Sequence, residues 1–100
     1  MIIVGIDPGL KKTGWGIVAW KNNSFSYLVD GFFFKNDELE LGQKLLRIFN
    51  RLSLLIKETK PDLIGIEQTF VGSGNVSSLK LGMARGICIL TAAKLGLKNS

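Results

Sequence analysis

The chain has 100 residues, of which 46% are hydrophobic, and a formal net charge of +5. This length suits one domain, and the hydrophobic share is that of a globular chain. The sequence has no histidine and one cysteine, which excludes Ser-His-Asp and Cys-His catalysis, histidine-ligated zinc and an internal disulfide. We find no apolar run of bilayer length and no signal peptide, so we expect a cytoplasmic protein without membrane contact. The basic balance favours nucleic acid as a partner, although compositional bias can produce the same excess.

The first third of the chain predicts three strands. Apolar residues 2–6 lead into Asp7-Pro8-Gly9, which is typical of a buried strand that ends in a turn. Residues 14–20 and 25–34 predict the second and third strands, and the polar segment 21–24 predicts the turn between them. Short connections of this kind predict an antiparallel meander. We assign the three consecutive phenylalanines at residues 32–34 to core packing.

A helix and a fourth strand are predicted next. Apolar side chains in residues 41–56 recur at three- and four-residue steps, as on one face of an amphipathic helix. Asp37 and Glu40 have the spacing of a capping box at its start. The apolar run 63–66 then ends at Glu67. Because two buried strands joined through a helix favour parallel pairing by a right-handed crossover, we expect the fourth strand beside the first.

The last predicted element is a long helix. It follows the glycine-rich segment 71–74, with Asn75 as candidate N-cap, and it continues to about Leu95. Gly82 and Gly86 are four residues apart on one face, where another backbone can approach closely. A helix that is apolar on most sides must be covered on most sides. Either its own sheet provides all of that cover or, as we favour, one face also meets a second chain.

Two acids occupy matching sequence contexts. Residues 3–7 and 63–67 both read apolar, apolar, Gly, Ile, acid, and they end at Asp7 and Glu67. Because alternate strand residues share a face, each acid has a glycine on its own face two positions earlier. If the strands are neighbours, the two carboxylates converge, and a divalent ion such as Mg²⁺ or Mn²⁺ relieves their repulsion. Such ions support phosphoryl displacement without histidine, so the pair predicts a site that cuts nucleic-acid backbone. Each acid taken alone is better explained as a turn residue or a solvated strand end, and it is the matching context of the pair that favours a site.

Three groups of residues resemble the RuvC family of Holliday-junction resolvases. They are Gly-Ile-Asp-Pro-Gly with Thr-Gly-Trp-Gly (5–9 and 13–16), Ile-Glu-Gln-Thr-Phe (66–70), and Leu-Lys-Leu-Gly-Met-Ala-Arg-Gly (79–86). They occur in family order and spacing. The resemblance implies an α/β, RNase H-like mixed sheet with three antiparallel strands, a parallel fourth strand after a crossover helix, and a long apolar helix. It also implies a Mg²⁺-dependent endonuclease, with Mn²⁺ as a substitute, that nicks four-way junctions symmetrically in DNA recombination and repair.

The same resemblance assigns roles by position. Asp7 and Glu67 match catalytic metal ligands, and Phe70 matches an aromatic residue that meets bases at the junction centre, with core or loop packing as its alternative. The implied partners are four-way junction DNA, a second copy bound through the second helix, and branch-migration proteins.

The predicted nucleic-acid contacts also include four basic residues. Lys80 and Arg85 match basic positions of the family helix, where phosphate contact, dimer contact and solvated charge are all open. Lys11 and Lys12 follow the first strand, and they can reach phosphate or form an ordinary solvated turn.

Family members are longer than this chain. Their last segment brings a further strand and a helix with two more acidic or metal-binding positions. We therefore expect residues 1–100 to be a single RNase H-like nuclease domain truncated at its C-terminus. Such a chain has half a metal site and weak or no activity, and its strand 63–66 is an exposed apolar edge. The alternatives are a non-catalytic nucleic-acid-binding or dimerisation module, an actin-like ATPase fragment, and a YqgF-like nuclease acting on RNA.

Overall fold

The computed structural model describes residues 1–34, 38–67 and 76–99, and these form a mixed sheet with two helices. The elements are β1 (Ile2–Asp7), β2 (Gly14–Lys21), β3 (Ser24–Phe32), α1 (Leu41–Thr59), β4 (Leu63–Ile66), α2 (Val76–Lys94) and β5 (Lys98–Asn99). The strand order is β3-β2-β1-β4-β5. The first three strands are antiparallel, and β4 and β5 continue the sheet in parallel. This confirms the predicted meander and the parallel fourth strand beside the first.

The β2–β3 hairpin forms at the predicted polar turn. Asn22 and Asn23 have φ of 54° and 63°, a left-handed conformation that asparagine tolerates and that tight hairpin turns require. β3 ends at Phe32, two residues earlier than predicted. We expected residues 32–34 to pack in the core. This is correct for Phe34, which is 8% exposed, and wrong for Phe32, which is 46% exposed.

Helix α1 is amphipathic, as predicted, and it buries Ile48, Leu52, Leu55 and Ile56. The predicted capping box does not form. The helix begins at Leu41, so Glu40 is itself the N-cap residue, and its side chain makes no capping hydrogen bond. Asp37 lies outside the described residues. Neither described helix is long and apolar enough to cross a membrane.

The hydrophobic core lies between the helices and one face of the sheet. Val4, Ile6, Ile64 and Ile66 all point to this face and are at most 5% exposed. Helix α2 contributes its small buried side chains, including Cys88. Burial raises the pKa of the Cys88 thiol to about 12, as expected for a cysteine that acts as a small hydrophobic residue.

We expected β4 to be an exposed edge strand, and this prediction is wrong for half of its residues. Beyond α2, Gly96 has φ of 77° and the Leu97 N–H donates to the Ala92 carbonyl, so the chain reverses at the end of the helix. This turn brings β5 alongside β4, where Lys98 pairs with Leu63 and Asn99 with Ile64. The described chain therefore includes a short fifth strand.

Candidate metal centre and nucleic-acid interface

Asp7 and Glu67 lie side by side at the carboxyl ends of two neighbouring strands. In the parallel β1–β4 pair, Gly5 is opposite Gly65 and Ile6 is opposite Ile66. The Glu67 N–H donates to the Ile6 carbonyl at 2.8 Å, which extends the ladder to the acids. Because Ile6 and Ile66 are buried in the core, the residues that follow them point to the opposite, open face. The structure thus brings the two exposed carboxylates together.

Glycines form the floor beside this pair. Gly16, Gly5 and Gly65 are direct cross-strand neighbours on β2, β1 and β4, one alternate position behind the acids. A Cβ atom added at Gly65 would meet no atom within 4 Å, and one at Gly14 would lie 3.7 Å from the Asp7 Cβ. The absence of side chains leaves an open depression of about 420 Å³, which both acids line.

Asp30 and Tyr27 line the same depression, and the sequence did not predict them. Both are on β3, where Asp30 pairs with Gly16. The hydrogen bond to Asp30 raises the pKa of the Tyr27 phenol. The register of the β2–β3 pair shifts between Ile17 and Val18, which breaks the simple alternation of faces along the pair. The sequence alone therefore did not show which side chains of β3 share the face of Asp7. Gly14 and Gly16 of β2 could have indicated an open surface here, since they lie on the same face of the sheet as Asp7.

The acid pair fits part of a divalent-metal site. Two carboxylates at one edge offer the oxygen donors that hard cations prefer, and the glycine floor leaves room beside them. Within the residues that the structure describes, no three His, Cys, Asp or Glu side chains are grouped to hold an ion. Asp7 and Glu67 would therefore supply two ligands, and a stable site needs more.

The predicted nucleic-acid contacts separate into three groups. Lys11, Lys12 and Lys80 line one depression of about 330 Å³. Arg85 is not part of it: the residue is partly buried, and its Nε atom has no hydrogen-bond partner. Phe70 lies outside the described residues. The structure therefore places Lys11, Lys12 and Lys80 around one depression.

A mixed sheet of this order, with paired acids at the ends of its central parallel strands, defines a protein of the RNase H-like class. A family model described as crossover junction endodeoxyribonuclease RuvC matches residues 3–99. The chain belongs to the RuvC family.

Known relatives share both sequence and fold with the chain. It is 42% identical to the RuvC of Rhizobium johnstonii over 98 residues, and the match covers 98% of the chain and 58% of the relative. The RuvC of Ruegeria pomeroyi is 41% identical over 97 residues, with 97% and 58% covered. The structure of T. thermophilus RuvC in complex with Holliday junction substrate superimposes with a TM-score of 0.85 at 23% identity, over 99% of the chain and 62% of that protein. The chain thus spans 58% of the length of these curated relatives.

Proposed function

We propose that this chain carries the first two active-site carboxylates of a structure-selective endonuclease that resolves Holliday junctions in DNA recombination and repair. The observation that carries the proposal is the adjacency of Asp7 and Glu67 on a glycine floor. The curated relatives are named crossover junction endodeoxyribonuclease, which is the same reaction class. We propose that the remaining metal ligands come from the segment of the relatives that this chain does not span, so residues 1–100 alone form a single domain with weak or no activity.

Asp7 and Glu67 would hold Mg²⁺, or Mn²⁺ in its place, at the edge of the sheet. When bound, such an ion stabilises the charge that develops on a phosphate during displacement. The protein itself contributes access for the phosphodiester and the negative charge of the two carboxylates. The glycines allow a phosphodiester to approach the acids closely, and the exposed carboxylates bind the cation that offsets their repulsion of DNA.

The DNA contacts follow from the distribution of charge. The net charge of +5 favours association with a polyanion. Lys11, Lys12 and Lys80 are exposed and line one depression, so we propose phosphate contacts for them, with Arg85 as a further basic position. From the family resemblance we also propose Phe70 as a base contact and branch-migration proteins as partners. A DNA substrate of this kind would place the activity in the cytoplasm.

A fusion protein tests this function. We would join residues 1–100 to the part of Rhizobium johnstonii RuvC that lies beyond the matched region, and incubate it with labelled four-way junctions. We expect paired nicks that require Mg²⁺ or Mn²⁺, and no cleavage of linear duplex. Junction binding without nicking would favour the non-catalytic binding module, and specific ATP binding would favour the actin-like alternative.

We further propose that α2 pairs with α2 of a second copy. The helix buries Ala84, Cys88 and Ala92 on one side. Its opposite side exposes a continuous apolar stripe at helical spacing, made of Leu79, Gly82, Met83, Gly86 and Leu90. A Cβ atom at either glycine would meet nothing within 4 Å, so a second helix can approach the backbone here. Pairing would bury the side chains of Leu79 and Leu90, which are 62% and 59% exposed.

Gly86→Leu tests this interface. We expect the added side chain to hold the two helices apart and to weaken self-association at least tenfold, measured by sedimentation equilibrium. Gly42→Leu is the matched control, since Gly42 also lies in a helix, on α1, with open space around it. Equal association of the wild type and Gly86→Leu would contradict pairing through α2.

A further inference from the structure

The depression lined by Lys11, Lys12 and Lys80 is here called the lysine seat. Its lining residues follow Asp7 and Glu67 in the sequence. Its volume is about 330 Å³, and its lining residues are Gly9, Leu10, Lys11, Lys12, Lys80 and Leu81. The first four belong to the turn between β1 and β2, and the last two belong to α2. Of the described residues that line it, half are cationic and none is acidic, so the concave surface suits an anion.

The turn that carries two of these lysines is tight and is closed by a hydrogen bond. The Thr13 hydroxyl donates to the Gly9 carbonyl at 2.8 Å, and Thr13 is fully buried. A Cβ atom at Gly9 would clash with the Lys12 carbonyl oxygen, so the turn is as tight as glycine allows. Gly9 is only two residues beyond Asp7, so this tight turn begins directly after the strand end that carries the first acid.

Lys12 also points toward the edge of the sheet that holds the acids. Its Nζ atom lies 5.2 Å from the centroid of the Phe32 ring, an attractive cation–π arrangement. Phe32 pairs with Gly14 across β2–β3, and Gly14 pairs with Asp7 across β1–β2. Lys12 is thus held beside Phe32, at the strand position that is in register with Asp7. Lys80 reaches the seat from α2.

We propose that the lysine seat binds one backbone phosphate of the DNA strand that crosses Asp7 and Glu67, a few linkages from the phosphate that is cut. Ammonium groups are effective point-charge partners for phosphate oxygens. A fixed distance between seat and acid pair sets which linkage of the strand reaches the acids. The inference rests on the proposed function in that the ligand is the DNA substrate, but it concerns binding and needs no cleavage.

Salt-dependent binding of the 100-residue chain to a fluorescent four-way junction tests the seat. We expect the triple variant Lys11→Gln, Lys12→Gln and Lys80→Gln to lower the slope of log K against log salt by about 0.9, the value for one lost phosphate contact. Each single Lys→Gln variant should lower the slope by a part of that amount. Lys21→Gln is the matched control, because Lys21 is exposed at the opposite end of β2. An equal change of slope in the control would mean diffuse attraction and would overturn the proposal.

Neutral methylphosphonate linkages, introduced one at a time into the junction, locate the phosphate. We expect one linkage whose neutralisation weakens binding of the wild type several-fold and leaves the triple Lys→Gln variant unaffected. Uniform loss at all linkages, in the wild type and in the triple variant alike, would overturn the proposed backbone seat. The outcome is independent of nicking: seat-dependent binding by an inactive fusion protein would reject the nuclease and keep the seat.

Discussion

Asp7→Asn and Glu67→Gln should each abolish nicking by the fusion protein while junction binding persists. Each change keeps the shape of the side chain and removes one anionic metal ligand, so the charge on the reacting phosphate is no longer offset. Loss of a group that stabilises this charge typically costs on the order of 10²–10³-fold in rate. Binding should be unchanged or tighter, because neutralising an acid removes its repulsion of phosphate. Single-turnover cleavage and a gel-shift titration measure the two effects separately.

Asp30→Asn is the matched control for these variants. Asp30 lines the same depression, but it sits on β3 opposite Gly16 and is not grouped with the pair as a ligand set. We expect its rate to fall less than tenfold. Cleavage that survives in Asp7→Asn or Glu67→Gln would remove the metal-ligand assignment, and an equal loss in Asp30→Asn would make Asp30 a third ligand.

Leu52→Ala should strongly destabilise the fold. Leu52 is 0% exposed and packs in the core beneath the sheet. Truncating a buried leucine to alanine costs about 2–5 kcal/mol, a large share of the roughly 5–15 kcal/mol that stabilises a domain. For a chain of this size the melting temperature falls by about 4–8 °C per kcal/mol. Thermal unfolding followed by circular dichroism measures the shift.

Leu54→Ala provides the comparison. Leu54 is two residues away on the same helix, but it is 50% exposed. Both substitutions remove the same atoms and have the same effect on helix propensity, so their difference reports burial alone. We expect Leu54→Ala to change stability by no more than about 0.5 kcal/mol. Similar losses in the two variants would contradict the packing of α1 described here.

Much of the site was predictable because it depends on period-two alternation within single strands. The repeated Gly-Ile-acid pattern placed Gly5 with Asp7 and Gly65 with Glu67, and the crossover rule placed β4 beside β1. The register decided the rest of the geometry, since pairing of Gly5 with Gly65 is what sets the two acids at one level. The roles of Asp7 and Glu67 as ligands stay predictions.

The misplaced features have local physical causes. The capping box at Asp37 and Glu40 failed because the helix begins at Leu41, so Glu40 is the N-cap residue and not the third helical residue that the motif requires. Phe32 was assigned to the core together with its two neighbours, but it is the last residue of β3 and lies on the open face, where Lys12 contacts its ring. The β4 edge was misjudged because two residues are too few to show a strand pattern, although β5 pairs along half of β4.

The sequence by itself determined the types of the first six elements, the two candidate carboxylates and the family motifs, because these depend on periodicity and on residue identity. Only the tertiary structure decided which distant residues share a surface. It placed Asp30 in the depression of the acid pair, joined Lys80 to the Lys11–Lys12 turn, and left the apolar stripe of α2 open. Such neighbourhoods arise from strand register and from the packing of helices on the sheet, which involve residues far apart in the chain and leave no short-range pattern in it.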